Sequence, residues 1–129
     1  MATLSYRLRT ALDGASTDFG SYRAAESVRT PAEILAHMGD LMDWALGLAD
    51  GVHKWHDSVP LAWESEVARF FAAARELDSR LAAGPLVCEE KRLFQGPIAD
   101  AFTHTGQIAL LRRMHGAPVR ARNYFKAEI

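Results

Sequence analysis

The sequence has very little cysteine and almost no net charge. Its single cysteine, Cys88, cannot form a disulfide within the chain, which favours a reducing compartment. The 15 lysine and arginine residues nearly balance the 16 aspartate and glutamate residues. The resulting net charge of -1 gives no reason to expect a nucleic acid or an anionic membrane as a partner.

Long apolar runs and several familiar motifs are also missing. No apolar run approaches the ~20 residues that span a bilayer. The opening segment, MATLSYRLRT, has no apolar core of the kind found in signal peptides. We therefore expect a soluble, cytoplasmic protein. Without a Gly-rich phosphate loop, a Gly-x-Ser-x-Gly motif or a Cys-x-x-Cys pair, three common kinds of enzyme site have no support in the sequence.

Composition and periodicity predict one helical domain covering residues 1–129. Hydrophobic residues make up 49% of the chain and charged residues 24%, so a core can form without disulfides or a structural metal. Apolar residues recur at helical spacing over four segments: residues 3–13, 31–50, 60–83 and 96–116. Residues 15–29 and 86–96 are expected to connect them, and residues 119–129 to dock back on the bundle. The predicted class is all-α, as a four-helix bundle.

The second predicted helix has a well-marked start and places a histidine among apolar residues. Thr30-Pro31-Ala32-Glu33 is a capping box with proline at the first helical position. On a helical wheel one continuous arc contains, in order, Trp44, His37, Leu48, Leu41, Ile34, Ala45 and Met38. His37 is therefore predicted to face the inside of the bundle.

The fourth predicted helix carries two more ionisable residues on its apolar stripe. Its inner arc contains Leu110, Met114, Gln107, Asp100, Leu111, His104, Ile108 and Ala101. Asp100 and His104 are four residues apart, so their side chains converge on one face of the helix. The wheel predicts that both are buried, although Asp100 near the helix start also suits the helix dipole.

Two imidazoles and one carboxylate on buried faces indicate a metal site. Buried ionisable groups are costly unless they are paired or bind a metal. His37, Asp100 and His104 together can hold one divalent ion and leave positions open for water or substrate. The alternative is a buried hydrogen-bond network of the same three side chains without a metal.

Other polar residues give weaker signals. His53 and His56 follow the second helix and are interpreted as exposed loop histidines at a site mouth or on the surface. The basic residues near the C-terminal end are interpreted as a solvated face rather than a nucleic-acid patch. They are Arg112, Arg113, Arg120, Arg122 and Lys126.

Two segments resemble the DinB/YfiT-like metalloenzyme family. Gly96-Pro-Ile-Ala-Asp-Ala-Phe-Thr-His104-Thr-Gly-Gln107 is similar to that family's last bundle helix, where a His-x-x-x-His-x-Gly-Gln pattern supplies two metal ligands. Thr30-Pro-Ala-Glu-Ile-Leu-Ala-His37-Met resembles the context of its third ligand. Asp100 stands where the family has the first histidine of that pattern, which shifts metal preference toward harder ions. Gly106 and Gln107 match the family's Gly-Gln, and Gln107 is expected to orient a ligand.

The resemblance implies a metal-dependent enzyme acting on a small-molecule substrate. The family includes enzymes that use low-molecular-weight thiols, such as mycothiol-dependent maleylpyruvate isomerases and bacillithiol S-transferases. A thiol-dependent S-transferase or isomerase is therefore the leading expectation, with zinc, nickel, iron or manganese as the ion. A metal-dependent hydrolase and a non-catalytic bundle with a degenerate site remain as alternatives.

A homodimer is also expected. The resemblance implies it, and the third predicted helix carries more large apolar residues than one bundle face needs. These are Trp63, Phe70, Phe71 and Leu77. A two-fold contact between identical faces is the usual arrangement.

Overall fold

Four long helices carry the fold, in a computed structural model that describes all 129 residues. The long helices are α1 (Ala2–Leu12), α2 (Pro31–Ala49), α3 (Trp63–Ala82) and α5 (Ala99–Met114). A single-turn helix, α4 (Glu90–Leu93), lies between α3 and α5. No strand occurs, and this confirms the predicted all-α class. No helix has both the length and the apolar character needed to cross a membrane.

The start of α2 is held by the predicted capping box. The Thr30 hydroxyl accepts a hydrogen bond from the Glu33 amide at 3.2 Å, and the Glu33 carboxylate accepts one from the Thr30 amide at 2.6 Å. Pro31 occupies the first helical position, where no amide hydrogen is needed. The helix ends at Ala49, and Gly51 follows with φ of 79°, a left-handed conformation that glycine adopts without strain.

The central helix of the fold is α2, which packs against both α3 and α5, while α1 packs against α5. The buried apolar residues form one cluster, to which α2 contributes the fully buried Leu35, Met38 and Met42. Each such side chain stabilises the fold by roughly 1.5–3 kcal/mol relative to its exposed state. His37 and Trp44 lie half-buried at the edge of this apolar face rather than in its centre.

Two predicted boundaries are wrong. Helix α3 begins at Trp63 rather than at residue 60, because residues 52–62 run without helical structure alongside α2. The predicted connector 86–96 is largely helical: α4 continues into a wider π-type turn, Phe94–Ile98, that leads into α5. Gly96 has φ of -89° and ψ of -108°, and Pro97 has no amide hydrogen, so the helix is kinked at this point.

The predicted inner face of α5 is also wrong in part. Its buried residues include Ala101, His104, Thr105, Ile108 and Leu111, whereas Gln107 is exposed and Leu110 and Met114 are 57% and 53% exposed. Only one side of α5 meets α1 and α2, so the rest of the predicted stripe faces a cleft described below.

The prediction of a solvated basic face is wrong for Arg112. It is 3% exposed, and its guanidinium donates hydrogen bonds to the carbonyls of Ala11, Asp13 and Ala117 at 2.9–3.1 Å. It therefore joins the C-terminal ends of α1 and α5, where backbone carbonyls carry partial negative charge.

The large apolar residues of α3 are used within the chain. Trp63, Phe70 and Leu77 are buried, and the half-buried Phe71 ring lies 4.7 Å from the guanidinium of Arg9. The apolar-surface argument for a homodimer therefore no longer holds, and the homodimer stays a prediction that rests on the resemblance alone.

Candidate metal centre

The side chains of His37, Asp100 and His104, here called the triad, meet between α2 and α5. One ligand atom from each lies within 4.8 Å of the other two. His37 Nε2 is 3.6 Å from Asp100 Oδ2, and His104 Nε2 is 3.5 Å from Asp100 Oδ1. These distances are longer than those of good hydrogen bonds. The three groups thus do not satisfy one another directly, but they are close enough to share one ion.

The local structure explains this convergence. Asp100 and His104 are one helical turn apart on α5, and the kink at Gly96-Pro97 sets the direction in which this helix crosses α2. His37 lies about two turns after the capping box, on the side of α2 that faces α5. The two imidazole rings are 4.8 Å apart, edge to face.

The prediction that all three side chains are buried is wrong for Asp100. The His104 side chain is 11% exposed and that of His37 22%, whereas the Asp100 side chain is 47% exposed. Asp100 lies in the first turn of α5, beside the cleft that it shares with Leu41 and Trp44 of α2. The site is therefore open on the Asp100 side, which a small molecule could enter.

Gln107 holds the His104 ring in a form suited to metal binding. The ring nitrogen Nδ1 of His104 lies 2.8 Å from Oε1 of Gln107. In the neutral tautomer whose Nδ1–H donates to this amide oxygen, Nε2, which faces Asp100, has a free lone pair for an ion. A partner on the second ring nitrogen is the usual arrangement for a metal-binding histidine. Orientation of a ligand was the role expected for Gln107.

The surroundings of His37 favour its neutral form. Burial, the neighbouring His104 and the positive charge of Arg29 lower the pKa of His37, and Asp100 only partly offsets them. A depressed pKa keeps the imidazole unprotonated at lower pH. Since only the neutral ring binds a metal, these neighbours favour metal binding near neutral pH.

Residues 52–62, here called the strap, cover one side of His37. The Trp55 ring lies 5.4 Å from the His37 ring, edge to face, and 5.7 Å from the Trp44 ring. His53 of the strap is an exposed loop histidine, as predicted, and its ring stacks on that of Trp44 at 5.7 Å. The Trp44 Nε1 atom is buried without a hydrogen-bond partner. Aromatic rings thus pack against this side of the site, with Trp55 itself 38% exposed to solvent.

The strap is fastened to α2 and α3 by buried acids. The Asp40 carboxylate accepts hydrogen bonds from the Ser58 amide at 2.8 Å and from the Ser58 hydroxyl at 2.7 Å. The Leu61 amide donates to the fully buried Glu66 at 2.8 Å. His56 Nε2 lies 3.1 Å from Asp40 Oδ1, so this histidine too has a partner that the sequence did not reveal.

Asp40, Asp43 and His56 form a second group that is compact enough for a metal, but a cation already lies within it. The Arg69 guanidinium pairs with Asp40, and also with Asp43 at 3.1 Å. Burial alone would raise the pKa of Asp40, but the Ser58 hydrogen bonds and Arg69 outweigh it and lower the pKa. We therefore interpret this group as a structural ion-pair cluster that holds the strap against α2 and α3. The sequence signal for it, Asp40 within a run of apolar residues on α2, was missed.

Two clefts flank the three candidate ligands. One, the His104 cleft, has a volume of about 420 Å³ and includes Arg29, His104 and Gln107 among mostly apolar residues. The other, the Asp100 cleft, has a volume of about 410 Å³ and runs from Trp44 to Asp100 along the kink. The His104 cleft is thus lined by one candidate ligand and the Asp100 cleft by another.

The donor set and its surroundings fit a divalent ion. Two neutral imidazoles and one carboxylate suit zinc, nickel, iron or manganese, and the open Asp100 side leaves room for further ligands. Comparison of the chain with protein-family models, with curated proteins and with solved structures gives no match. The case for the site therefore rests on its geometry.

Proposed function

We propose that this protein is a metal-dependent enzyme of the DinB/YfiT-like type, with His37, Asp100 and His104 as the ligands of one divalent ion. The observation that carries the proposal is the convergence of three ligand atoms within 4.8 Å, together with the Gln107 contact that leaves Nε2 of His104 free. A hydrogen-bond network without a metal would bring these groups closer than 3.5 Å to one another.

The reaction that fits best is a thiol-dependent transfer or isomerisation. When bound, the ion supplies Lewis acidity, which lowers the pKa of a thiol or a water molecule in the site. In an addition, the thiol sulfur bonds to one carbon of an electrophilic double bond and the thiol proton passes to the neighbouring carbon. His37, Asp100 and His104 would hold the ion, Gln107 would orient His104, and the Trp55 ring lies against His37 on the strap side.

A lack of further bases near the site favours a thiol over water as the nucleophile. The two clefts contain no carboxylate other than Asp100 and no imidazole other than His104, and both are needed as ligands. A thiol ionises far more readily than water, so it depends less on an additional general base. Hydrolysis is the second candidate, because an ion can itself generate hydroxide near neutral pH.

Metal content tests the proposal directly. Elemental analysis of the purified protein, followed by zinc and nickel titration of the metal-free protein, should show one ion per chain. His104→Ala should abolish binding, whereas His53→Ala, which removes an exposed imidazole outside the triad, should leave it unchanged. Absence of binding at micromolar metal, or equal binding by the His104→Ala variant, would refute the site. A screen of thiol conjugation against ester hydrolysis in the metal-loaded protein then separates the two reactions.

A further inference from the structure

The His104 cleft has a composition that points to a particular kind of ligand. Its walls are formed by apolar side chains from the segment before α2, from the first turn of α2 and from α5. They are Ala24, Val28, Ile34, Leu110, Leu111 and Met114. Leu110 and Met114 are more than half exposed, so the cleft presents apolar surface to solvent rather than extending the core. An exposed apolar concavity with a few polar groups is the usual form of a small-molecule site.

Arg29 is the only cation among the residues that line this cleft. Its guanidinium has no hydrogen bond and no ion pair within the protein, unlike those of Arg23, Arg69 and Arg80, which all pair with carboxylates. Arg29 lines the same cleft as His104, one of the three candidate ligands. Arg29 is thus available to an anion that enters the cleft.

The charge balance at the triad favours an anionic ligand as well. A divalent ion would meet one carboxylate, Asp100, and two neutral imidazoles, so one of its two positive charges would remain uncompensated. Arg29 adds a further positive charge at the edge of the same cleft. A carboxylate is planar and can accept two parallel hydrogen bonds from a guanidinium, a favourable geometry for recognition.

We propose that the His104 cleft binds a small organic acid, whose carboxylate pairs with Arg29 while its apolar body lies against Leu110 and Met114. The inference rests on the proposed function in one respect: it names the substrate class of the same metal site. Arg29 is then a specificity-determining residue, which selects for a negative charge and places the rest of the molecule beside His104. The volume of about 420 Å³ suits a molecule of the size of a substituted aromatic or short-chain acid.

The test compares three probes of one shape and different charge, measured on the metal-free protein. Phenylacetate, 2-phenylethanol and 2-phenylethylamine can be titrated by NMR, with the amide signals of residues 28–34 and 104–114 as the readout. Phenylacetate should bind about five to ten times more tightly than the alcohol, and the amine more weakly than either. Arg29→Gln should remove the preference for phenylacetate, whereas Arg113→Gln, which removes an exposed charge on α5 outside the cleft, should preserve it.

The outcomes separate this inference from the proposed function. If phenylacetate binds no better than the alcohol, or if its preference survives in Arg29→Gln, the carboxylate site is refuted whatever the metal titration shows. Leu110→Ser should weaken all three probes equally, and a selective loss of phenylacetate in that variant would contradict the assignment of the apolar wall. Failure of metal binding alone, with phenylacetate binding through Arg29 intact, would refute the metal-dependent enzyme but leave an organic-acid site.

Discussion

Replacing Gln107 with leucine should weaken metal binding without weakening the fold. The Gln107 side chain is exposed, so its replacement leaves no cavity in the core. Its one side-chain contact of this kind is the 2.8 Å hydrogen bond with Nδ1 of His104. Without that acceptor, the His104 proton is free to move to Nε2, the atom that faces Asp100. A bound ion would then have to compete with this tautomer.

The expected loss in metal affinity is about 10- to 100-fold, the usual effect of removing the hydrogen-bond partner of a metal-binding histidine. At about 1.4 kcal/mol for each factor of ten, this corresponds to roughly 1.4–2.8 kcal/mol. Zinc titration by calorimetry on metal-free protein measures the affinity, and urea unfolding without metal measures the fold. The free energy of unfolding should change by less than about 0.5 kcal/mol, as expected for an exposed position.

Two matched variants sharpen this experiment. Gln107→Glu keeps an acceptor on Nδ1 and adds a negative charge, so it should bind zinc at least as tightly as the unaltered protein. Gly106→Ala changes the adjacent residue, whose added methyl group meets no atom within 4 Å, and should leave zinc affinity unchanged while stabilising the helix slightly. The tautomer argument fails if Gln107→Leu binds zinc within twofold of the unaltered protein.

Three further predictions concern stability and assembly. Thr30→Ala removes the acceptor for the Glu33 amide at the start of α2 and should lower the free energy of unfolding by about 1 kcal/mol in urea, an effect that Thr30→Ser should largely avoid. Asp40→Asn removes the buried charge that pairs with Arg69 and should cost about 3 kcal/mol at neutral pH. Because the folded-state pKa of Asp40 is lowered, the stabilisation that its charge provides is fully present above about pH 3.9 and is lost as the pH falls through the folded-state pKa. A stability difference between Asp40→Asn and the unaltered protein that stays constant down to pH 2 would contradict this. The predicted homodimer should sediment with the mass of two chains at micromolar concentration, and a single-chain mass would rule it out.

The features that the sequence predicts well are those set by local chemistry. The capping box at Thr30 depends on two residues three positions apart, and the apolar face of α2 follows from a regular repeat. The approach of His37 to His104 could be anticipated because each lies on an apolar stripe, and the stripes of a bundle face one another. Binding of an ion by these side chains stays a prediction.

The features that were missed depend on how the helices meet. Asp100 is 47% exposed in the first turn of α5, just after the kink at Gly96-Pro97, and a helical wheel represents neither the kink nor the cover that neighbouring helices provide. The burial of Arg112 requires carbonyls at the end of α1, about a hundred residues away in the chain. The pairing of Asp40 with Arg69 likewise joins α2 and α3, and the sequence of neither helix shows how the two align along their lengths.

The division of the candidate ligands between α2 and α5 has a consequence for the order in which the protein is built. Helices α2 and α3 are consecutive and pack extensively, so they can form an early hairpin at small cost in chain entropy. His37 emerges from the ribosome with this hairpin, but Asp100 and His104 lie two helices later, and α5 must also dock against α1. No three-ligand site exists until that last docking step. Acquisition of a metal would therefore be among the final events in the maturation of the chain, and an ion could not guide the folding of the segments made before it.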